Sequence, residues 1–193
     1  MIAIDIEASG TDNRAHSIVS VGAIDLRDPT RQFYDECRIW DGAHIMESAL
    51  AVNGFSEAEI MDPQKKSEAE LVEALLAWIY EADERTLAGQ NVSFDRDFIE
   101  AAARRAGMEA DIAYRTVDTH TLCYMHMTVH GRSVPLTKHH SGLDLDAILR
   151  YCGIPEEPTP HNALTGALCH AETISRLLYG KKLLPEFERY DMP

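Results

Sequence analysis

Residues 2–8 alternate strictly between two kinds of side chain. Isoleucines occupy positions 2, 4 and 6, whereas Asp5 and Glu7 project to the opposite face. This period of two predicts a β-strand. Residues 17–26 and 33–40 predict two further strands, which the Asp-Pro break at positions 28 and 29 joins as an antiparallel meander.

The pattern then changes to a helical period. Ser67 and Glu70 have the spacing of a capping box, which predicts a helix start. The apolar stripe of this helix consists of Leu71, Leu75, Trp78 and Ile79. Residues 85–91 predict a short strand, and Ser93 is the predicted cap of a helix over residues 94–107.

The remaining third continues the alternation of strands and helices. Residues 115–122 predict a strand, residues 125–140 a mobile surface loop, and residues 143–154 a helix. The Thr159-Pro160 step is predicted to open the last helix. The predicted inward stripe of that helix consists of Leu164, Leu168, Ile174 and Leu178. Strands and helices in this order indicate the α/β class with a mixed sheet.

Composition limits the size of the protein and its partners. With 193 residues, 45% of them hydrophobic, we expect one domain over residues 1–193 with a C-terminal tail at 179–193 that docks or frays. A net charge of -14 argues against capture of a long duplex but is compatible with a divalent-cation site. The four cysteines form no C-x-x-C pair and are expected to be reduced. No apolar run suits a membrane span, so we expect a cytoplasmic protein without a membrane partner.

Several polar residues are candidates for chemistry. Asp5 and Glu7 leave the same face of the first strand, where they are either exposed acids on a solvated face or a convergent pair. Asp95 lies in the first turn of a helix, as a cap or as a ligand aimed across the sheet. His161 stands near the start of the last helix, where an imidazole is either structural or able to take a proton from water.

Together, these motifs resemble those of the DEDDh family of 3'-5' exonucleases, which includes the proofreading subunit of bacterial DNA polymerase III, RNase T and oligoribonuclease. The matching segments are "DIEASGT", "SALAVNGFS", "LAGQNVSFDRDF", "VDTHTL" and "LDAILRYCGI...HNALTGA". The resemblance covers nearly the whole chain. It implies an RNase H-like α/β fold, in which a mixed five-stranded sheet, an antiparallel meander followed by parallel strands, is flanked by helices.

The resemblance implies a metal-dependent 3'-5' exonuclease acting on the 3' ends of single-stranded or short DNA or RNA. Asp5, Glu7 and Asp95 would hold two divalent cations, Mg2+ or Mn2+, and His161 would be the general base. The residues implied to contact the substrate or its nucleotides are Ala8, Ser9, Gly10, Thr11, Asn91 and Phe94. For Phe94, a place in the hydrophobic core is an equally good explanation. Relatives dimerise, but no interface stripe is evident in this chain.

The chain departs from the third motif of the family, His-x-x-x-x-Asp, because Gly166 stands five residues after His161. His170 returns to about 40° from position 166 on a helix, so it is the leading candidate to replace the missing carboxylate as a metal ligand, and it would favour Mn2+ over Mg2+. Glu172 would point away. A rival His-x-x-x-x-Asp register, from His139 to Asp144, leaves "HNALTGA" without a role and is rejected.

Two other functions compete with nuclease activity. Loss of a carboxylate at position 166 is compatible with a catalytically impaired nucleic-acid-binding or interaction module that keeps the fold. The second rival is a zinc site. Its candidate ligands are His120, His126, His130, His139 and His140. The retention of Asp5, Glu7, Asp95 and His161 argues against the binding module, because a site without catalysis has no need of three mutually repelling acids. No carboxylate or thiol completes a ligand set for the zinc site.

Overall fold

The computed structural model describes residues 1–192 of the chain. Five strands form one sheet in the order β3-β2-β1-β4-β5. The strands are β1 (Ile2–Ala8), β2 (Ile18–Asp25), β3 (Asp28–Glu36), β4 (Leu87–Gly89) and β5 (Val117–Asp118). The first three pair antiparallel, whereas β4 runs parallel to β1, and β5 runs parallel to β4. The predicted mixed sheet, a meander followed by parallel strands, is therefore confirmed.

Helices flank this sheet. They are α1 (Glu47–Asn53), α2 (Glu57–Ile60), α3 (Glu68–Tyr80), α4 (Ser93–Arg105), α5 (Thr119–Val129), α6 (Leu145–Tyr151) and α7 (Ala163–Tyr179). The capping box predicted for α3 is present, because Ser67 and Glu70 satisfy each other's backbone amides. Within residues 1–192, no helix combines the length and the apolar character that crossing a membrane requires. The cytoplasmic location remains a prediction.

The third strand differs from the prediction. It begins at Asp28 and contains Pro29, whereas residues 33–40 were predicted as the strand and the Asp-Pro step as the break before it. The β2 partner of Asp28 is Asp25, and the ladder is irregular there, so residues 29–31 lie outside regular pairing. Because β3 is an edge strand, a proline without an amide hydrogen is tolerated at this point.

Several helix boundaries also differ. The prediction omitted α1 and α2. Ser93 is the first residue of α4 rather than its cap, since Val92 holds the cap position without a side-chain bond. The strand predicted at 115–122 shrinks to two residues, because the Asp118 side chain caps α5. The C-terminal part of α5 occupies residues 125–129 of the loop predicted at 125–140. The starts of α2 and α5 depend on side-chain bonds, from Ser56 and Asp118, that hydrophobic periodicity does not encode.

Helix α7 crosses the sheet, and its start and register differ from the prediction. Its cap is Asn162, two residues after the predicted Thr159-Pro160 start. Of the predicted inward stripe, Ile174 is fully covered, whereas Leu178 is 37% exposed and Leu164 and Leu168 are half-buried. The other fully covered residues of α7 include Ala163, Ala167 and Ala171. Small residues are needed because α7 contacts both β1 and β2 along its length.

The tail after α7 is docked through one buried arginine. Arg176 is 1% exposed and pairs with Glu172 at 2.6 Å. Its guanidinium donates to the carbonyls of Phe187, Tyr190 and Asp191. The predicted tail at 179–193 therefore docks as far as the structure describes it, and Pro193 lies outside the described residues. The assignment of residues 1–193 to one domain remains a prediction.

The closest approach of α7 to the sheet is at Gly22 of β2. A β-carbon on this glycine would overlap the backbone carbonyl of Ala163, the first residue of α7. Gly22→Ala should therefore push α7 away from the sheet and lower the free energy of unfolding by about 2–4 kcal/mol, measured by urea denaturation. Ser20→Ala, in the same strand, is the control, because its buried hydroxyl has no hydrogen-bond partner. Equal stability of the two variants would contradict the tight helix-sheet contact.

Candidate active site

The acidic face of β1 lies in the centre of the sheet, under the first turns of α7. Asp5 pairs across the strands with Gly22, and Glu7 pairs with Ser20. Glu7 is only 9% exposed and Asp5 is partly buried. The reading of these two residues as acids on a solvated sheet face is therefore wrong.

A third acid reaches the same strand from α4. Asp95 lies in the first turn of α4 and is 3% exposed. Its Oδ1 accepts a hydrogen bond from the backbone amide of Ile6, at 3.0 Å, between the two acids of β1. The side chain of Asp95 therefore points at β1, which agrees with the expected direction across the sheet rather than with a role limited to capping α4.

The negative charges of these acids repel one another. Burial, and next the charges of Asp95, Glu7 and Glu157, raise the pKa of Asp5 well above its ordinary value. Burial and the charge of Glu157 raise the pKa of Glu7 to about 7. Burial, and to a smaller extent Glu7 and Asp118, raise the pKa of Asp95. Such a set of carboxylates is destabilising unless protons or cations neutralise it.

The donor set fits hard divalent cations. Carboxylate oxygens are the ligands that Mg2+ and Mn2+ prefer, and no Lys or Arg in the described part of the chain forms an ion pair with Asp5, Glu7 or Asp95. The acids are neighbours rather than a ready coordination shell, since no group of three His, Cys, Asp or Glu side chains within residues 1–192 has the arrangement of a metal site. This holds equally for the histidines of the rival zinc site.

His161 lies in the loop before α7 rather than inside the helix. Its backbone amide donates to the carbonyl of Val52 at the end of α1, and its side chain is 39% exposed. Its Nδ1 lies 3.8 Å from Oε2 of Glu157. The imidazole is therefore accessible to solvent and faces an acid that the sequence analysis did not single out.

His170 lies farther along α7, away from the acids of β1. It is 1% exposed, and its Nδ1 hydrogen-bonds to the carbonyl of Ile4 at 3.1 Å. Burial lowers its pKa to about 4, and Asp118 is the acid that acts on it. The bond of Nδ1 to Ile4 holds the ring, while its buried Nε2 has no hydrogen-bond partner among the described residues, and the role of His170 as a metal ligand remains a prediction. Glu172 points away from the site, as expected, and pairs with Arg176.

A cavity of about 310 Å3 opens beside Glu7. Its walls include four of the residues that the sequence analysis assigned to the substrate: Ala8, Gly10, Thr11 and Phe94. They also include residues that it missed: Met46, Ser48, Ala49, Val52 and Asn53. The matching segment "SALAVNGFS" was the available signal, but it assigned no roles to individual residues. The cavity is mostly apolar apart from Glu7 and a few polar groups, which suits a nucleobase or sugar.

Two predicted substrate residues have other contacts. Ser9 is fully buried, and its hydroxyl donates to the carbonyl of His44 and accepts from the amide of Ser17. Asn91 is exposed with a positive φ of 51° and forms the turn that leads into α4. Neither residue lines the cavity beside Glu7, so a substrate contact by their side chains remains a prediction.

The family model described as the "3'-5' exoribonuclease Rv2179c-like domain" matches residues 1–178. The chain belongs to this exoribonuclease domain family. Among curated proteins, ribonuclease T of Klebsiella pneumoniae is 26% identical over 125 residues. The alignment covers 56% of this chain and 56% of the relative, so the chain spans about half the length of the curated relative that it matches.

Solved nucleases share the fold of this exoribonuclease domain. Escherichia coli exonuclease I in complex with a dA16 oligonucleotide superposes with a TM-score of 0.70 at 14% identity, over 93% of this chain and 40% of that one. The nuclease domain of 3'hExo, a DEDDh family member bound to rAMP, superposes with a TM-score of 0.69 at 15% identity, over 95% and 93% of the two chains. At these identities the likeness concerns the fold, and it confirms the RNase H-like architecture.

The raised pKa of Glu7 predicts a pH-dependent stability of the metal-free domain. Because the folded state binds the proton of Glu7 more tightly than the unfolded state does, stability should fall as pH rises from about 4.5 to about 7. The fall attributable to Glu7 should be on the order of 2–3 kcal/mol.

Urea denaturation in EDTA at pH 5 and pH 7.5 measures this effect. Glu7→Gln should flatten the pH dependence, whereas Glu73→Gln, an exposed acid on α3, should leave it as in the parent. Identical slopes in the parent and Glu7→Gln would show that Glu7 is not held in a charge-repelling site.

Proposed function

We propose that this protein is a metal-dependent 3'-5' exonuclease that hydrolyses phosphodiester bonds at the 3' ends of short or single-stranded nucleic acid. The observation that carries the proposal is the meeting of Asp5, Glu7 and Asp95 in the centre of the sheet, with raised pKa values and no basic partner in the described chain. A protein gains nothing in stability from such a cluster, whereas phosphoryl transfer requires cations at one point.

The three acids would hold two divalent cations, Mg2+ or Mn2+. When bound, these cations lower the pKa of water and neutralise charge on the phosphate. Asp5 and Glu7 leave the same face of β1, while the Oδ1 of Asp95 is shared with the amide of Ile6. That amide holds the Asp95 carboxylate against the strand, so that its orientation is set before any ligand binds.

His161 would accept the proton of the attacking water. Glu157 faces Nδ1 of the imidazole, which favours the tautomer that carries its hydrogen on Nδ1 and leaves Nε2 as the acceptor. The 39% exposure of the side chain allows water and substrate to reach it. At 3.8 Å this contact is electrostatic rather than a hydrogen bond, and the His161 ring forms no side-chain hydrogen bond within the described chain.

Three adjoining cavities support a single-stranded substrate. The cavity beside Glu7 shares Thr11 and Phe94 with a second cavity, which in turn shares Asn13 and Asp97 with a third. The walls of the third cavity carry Arg14, Arg104 and Arg105 beside Asp97 and Glu100. The cavities therefore extend from Glu7 towards three arginines, a direction that suits the phosphates of the nucleotides upstream of a 3' end. The net charge of -14 makes a longer footprint unfavourable.

The relatives support nucleic acid as the substrate class. The family description names an exoribonuclease, and the curated relative is ribonuclease T. The solved neighbours include a protein bound to a DNA oligonucleotide and one bound to rAMP. We infer that 3' ends of RNA are the first substrates to test, with DNA second. Homodimerisation remains a prediction, because no partner chain bears on it.

A digestion panel tests the proposal. Oligonucleotides of DNA and RNA labelled at the 5' end should be shortened stepwise in Mn2+ or Mg2+ and left intact in EDTA. Asp5→Asn, which removes a charge and keeps the shape, should lower the rate at least a thousandfold, because the cation site loses a central ligand. Asp83→Asn is the control, since Asp83 is an exposed acid with a peripheral pairing to Arg27.

Unchanged digestion by Asp5→Asn would refute the mechanism and attribute the activity to another site or to a contaminant. Binding of the oligonucleotides without shortening in either metal would instead support the impaired binding module, for which the glycine at position 166 is the favourable observation.

A further inference from the structure

Position 166 directly faces Asp5. A β-carbon built on Gly166 would lie 2.8 Å from Cγ of Asp5, closer than real β-carbons approach other atoms. The Asp5 carboxyl group therefore occupies the space into which a side chain at position 166 would project. Helix α7 supplies no oxygen ligand at this point, so the cluster lacks an acid on the side of α7.

The loop before α7 carries another buried carboxylate, that of Glu157. The side chain of Glu157 is only 4% exposed. Its charge acts on both Asp5 and Glu7. It also acts, together with Asp5, on Cys169, which lies one turn after Gly166 on α7. Its position follows from its contacts: its Oε1 accepts a hydrogen bond from the amide of Asn162, the cap of α7, one turn before Gly166. The next residue, Ala163, lies against Gly22, the strand partner of Asp5, so Glu157 is held at the end of α7 that covers this part of the sheet.

Glu157 is buried without a full set of partners. Its Oε1 accepts one long hydrogen bond, 3.4 Å from the amide of Asn162. Its Oε2 lies 3.8 Å from Nδ1 of His161, beyond hydrogen-bonding distance. No Lys or Arg in the part of the chain that the structure describes forms an ion pair with it, although its neighbour Glu156 is exposed and pairs with Arg150. A buried carboxylate in this state is costly unless a ligand completes it.

We propose that Glu157 supplies the carboxylate that Gly166 lacks, so that Asp5, Glu7, Asp95 and Glu157 together bind hard divalent cations of the Mg2+ and Mn2+ class. The inference rests on the proposed function. It places the fourth acid on the loop before α7 rather than on the helix itself.

Glu157 is better placed for this role than His170. Four residues of helix carry His170 about 6 Å along α7 from position 166. There its Nδ1 bonds to Ile4, and its imidazole packs against Gly89 of β4. An imidazole is also the softer ligand, whereas four carboxylates are a set of hard oxygens.

Binding of Mn2+ to the full chain tests the proposal without any turnover. Affinity is measured by isothermal titration calorimetry and by the electron paramagnetic resonance signal of free Mn2+, for the parent, Glu157→Gln and Glu156→Gln. Glu157→Gln should weaken Mn2+ binding at least tenfold, because a neutral amide replaces a charged ligand. Glu156→Gln, which changes the adjacent exposed acid in the same way, should stay within twofold of the parent.

Three outcomes separate this inference from the proposed function. Unchanged Mn2+ affinity in a folded Glu157→Gln overturns the inference, while loss of affinity in Asp5→Asn upholds the acidic site itself. Slower digestion by Glu157→Gln at unchanged Mn2+ affinity also overturns it, since Glu157 would then only position His161. Unchanged affinity in Asp5→Asn refutes the proposed function as well.

A measurement on the parent protein guards against a variant that fails to fold. Crystals soaked in MnCl2 should show an anomalous peak at coordination distance from a carboxylate oxygen of Glu157 and from Asp5. A peak that contacts Asp5 and leaves Glu157 bonded only to Asn162 and His161 would overturn the inference.

Discussion

The site depends on direct contact between the backbone of α7 and the centre of the sheet. Gly22 admits the backbone of Ala163 into the space where a side chain would stand, and Gly166 admits the carboxyl group of Asp5 in the same manner. With helix and strand this close, Asp5 is covered without a large side chain between them. The same contact determines where the loop before α7 must run, and this loop carries both His161 and Glu157.

Clustering of acids at this place opposes folding. The pKa values of Asp5, Glu7, Asp95 and Glu157 are all raised, chiefly by burial. At Asp5, Glu7 and Asp95 the charges of other acids in this set reinforce the effect. The chain tolerates this because the surrounding core is extensive: the isoleucines of β1 pack beneath the acids, and α7 covers β1 and β2. Stability supplied by apolar burial elsewhere thus maintains a local arrangement that is unfavourable by itself, as is common at functional sites.

Local patterns predicted the parts of the molecule that local interactions determine. The alternation of residues 2–8 identified β1, the spacing of Ser67 and Glu70 identified the start of α3, and the motif order identified the family. The inward face of α7 could not be predicted in this way. On a helix that packs on two strands at once, close approach selects alanine and glycine, so the leucines that usually mark a buried face lie at the edges. Pro29 within β3 likewise required knowledge that β3 is an edge strand.

Glu157 shows most clearly what a motif cannot reveal. In the sequence it belongs to a proline-rich loop without a recognisable pattern, and only the tertiary structure shows that it is buried beside His161 at the start of α7. The loop is anchored at α1, where the amide of His161 bonds to Val52 and Pro160 packs over Gly54. If the fourth acid and the general base share this one loop, a cation bound by Glu157 would also hold His161 in place. An acid on α7 could not provide this coupling, since that helix is positioned by the sheet and by its packing on α5 and α6.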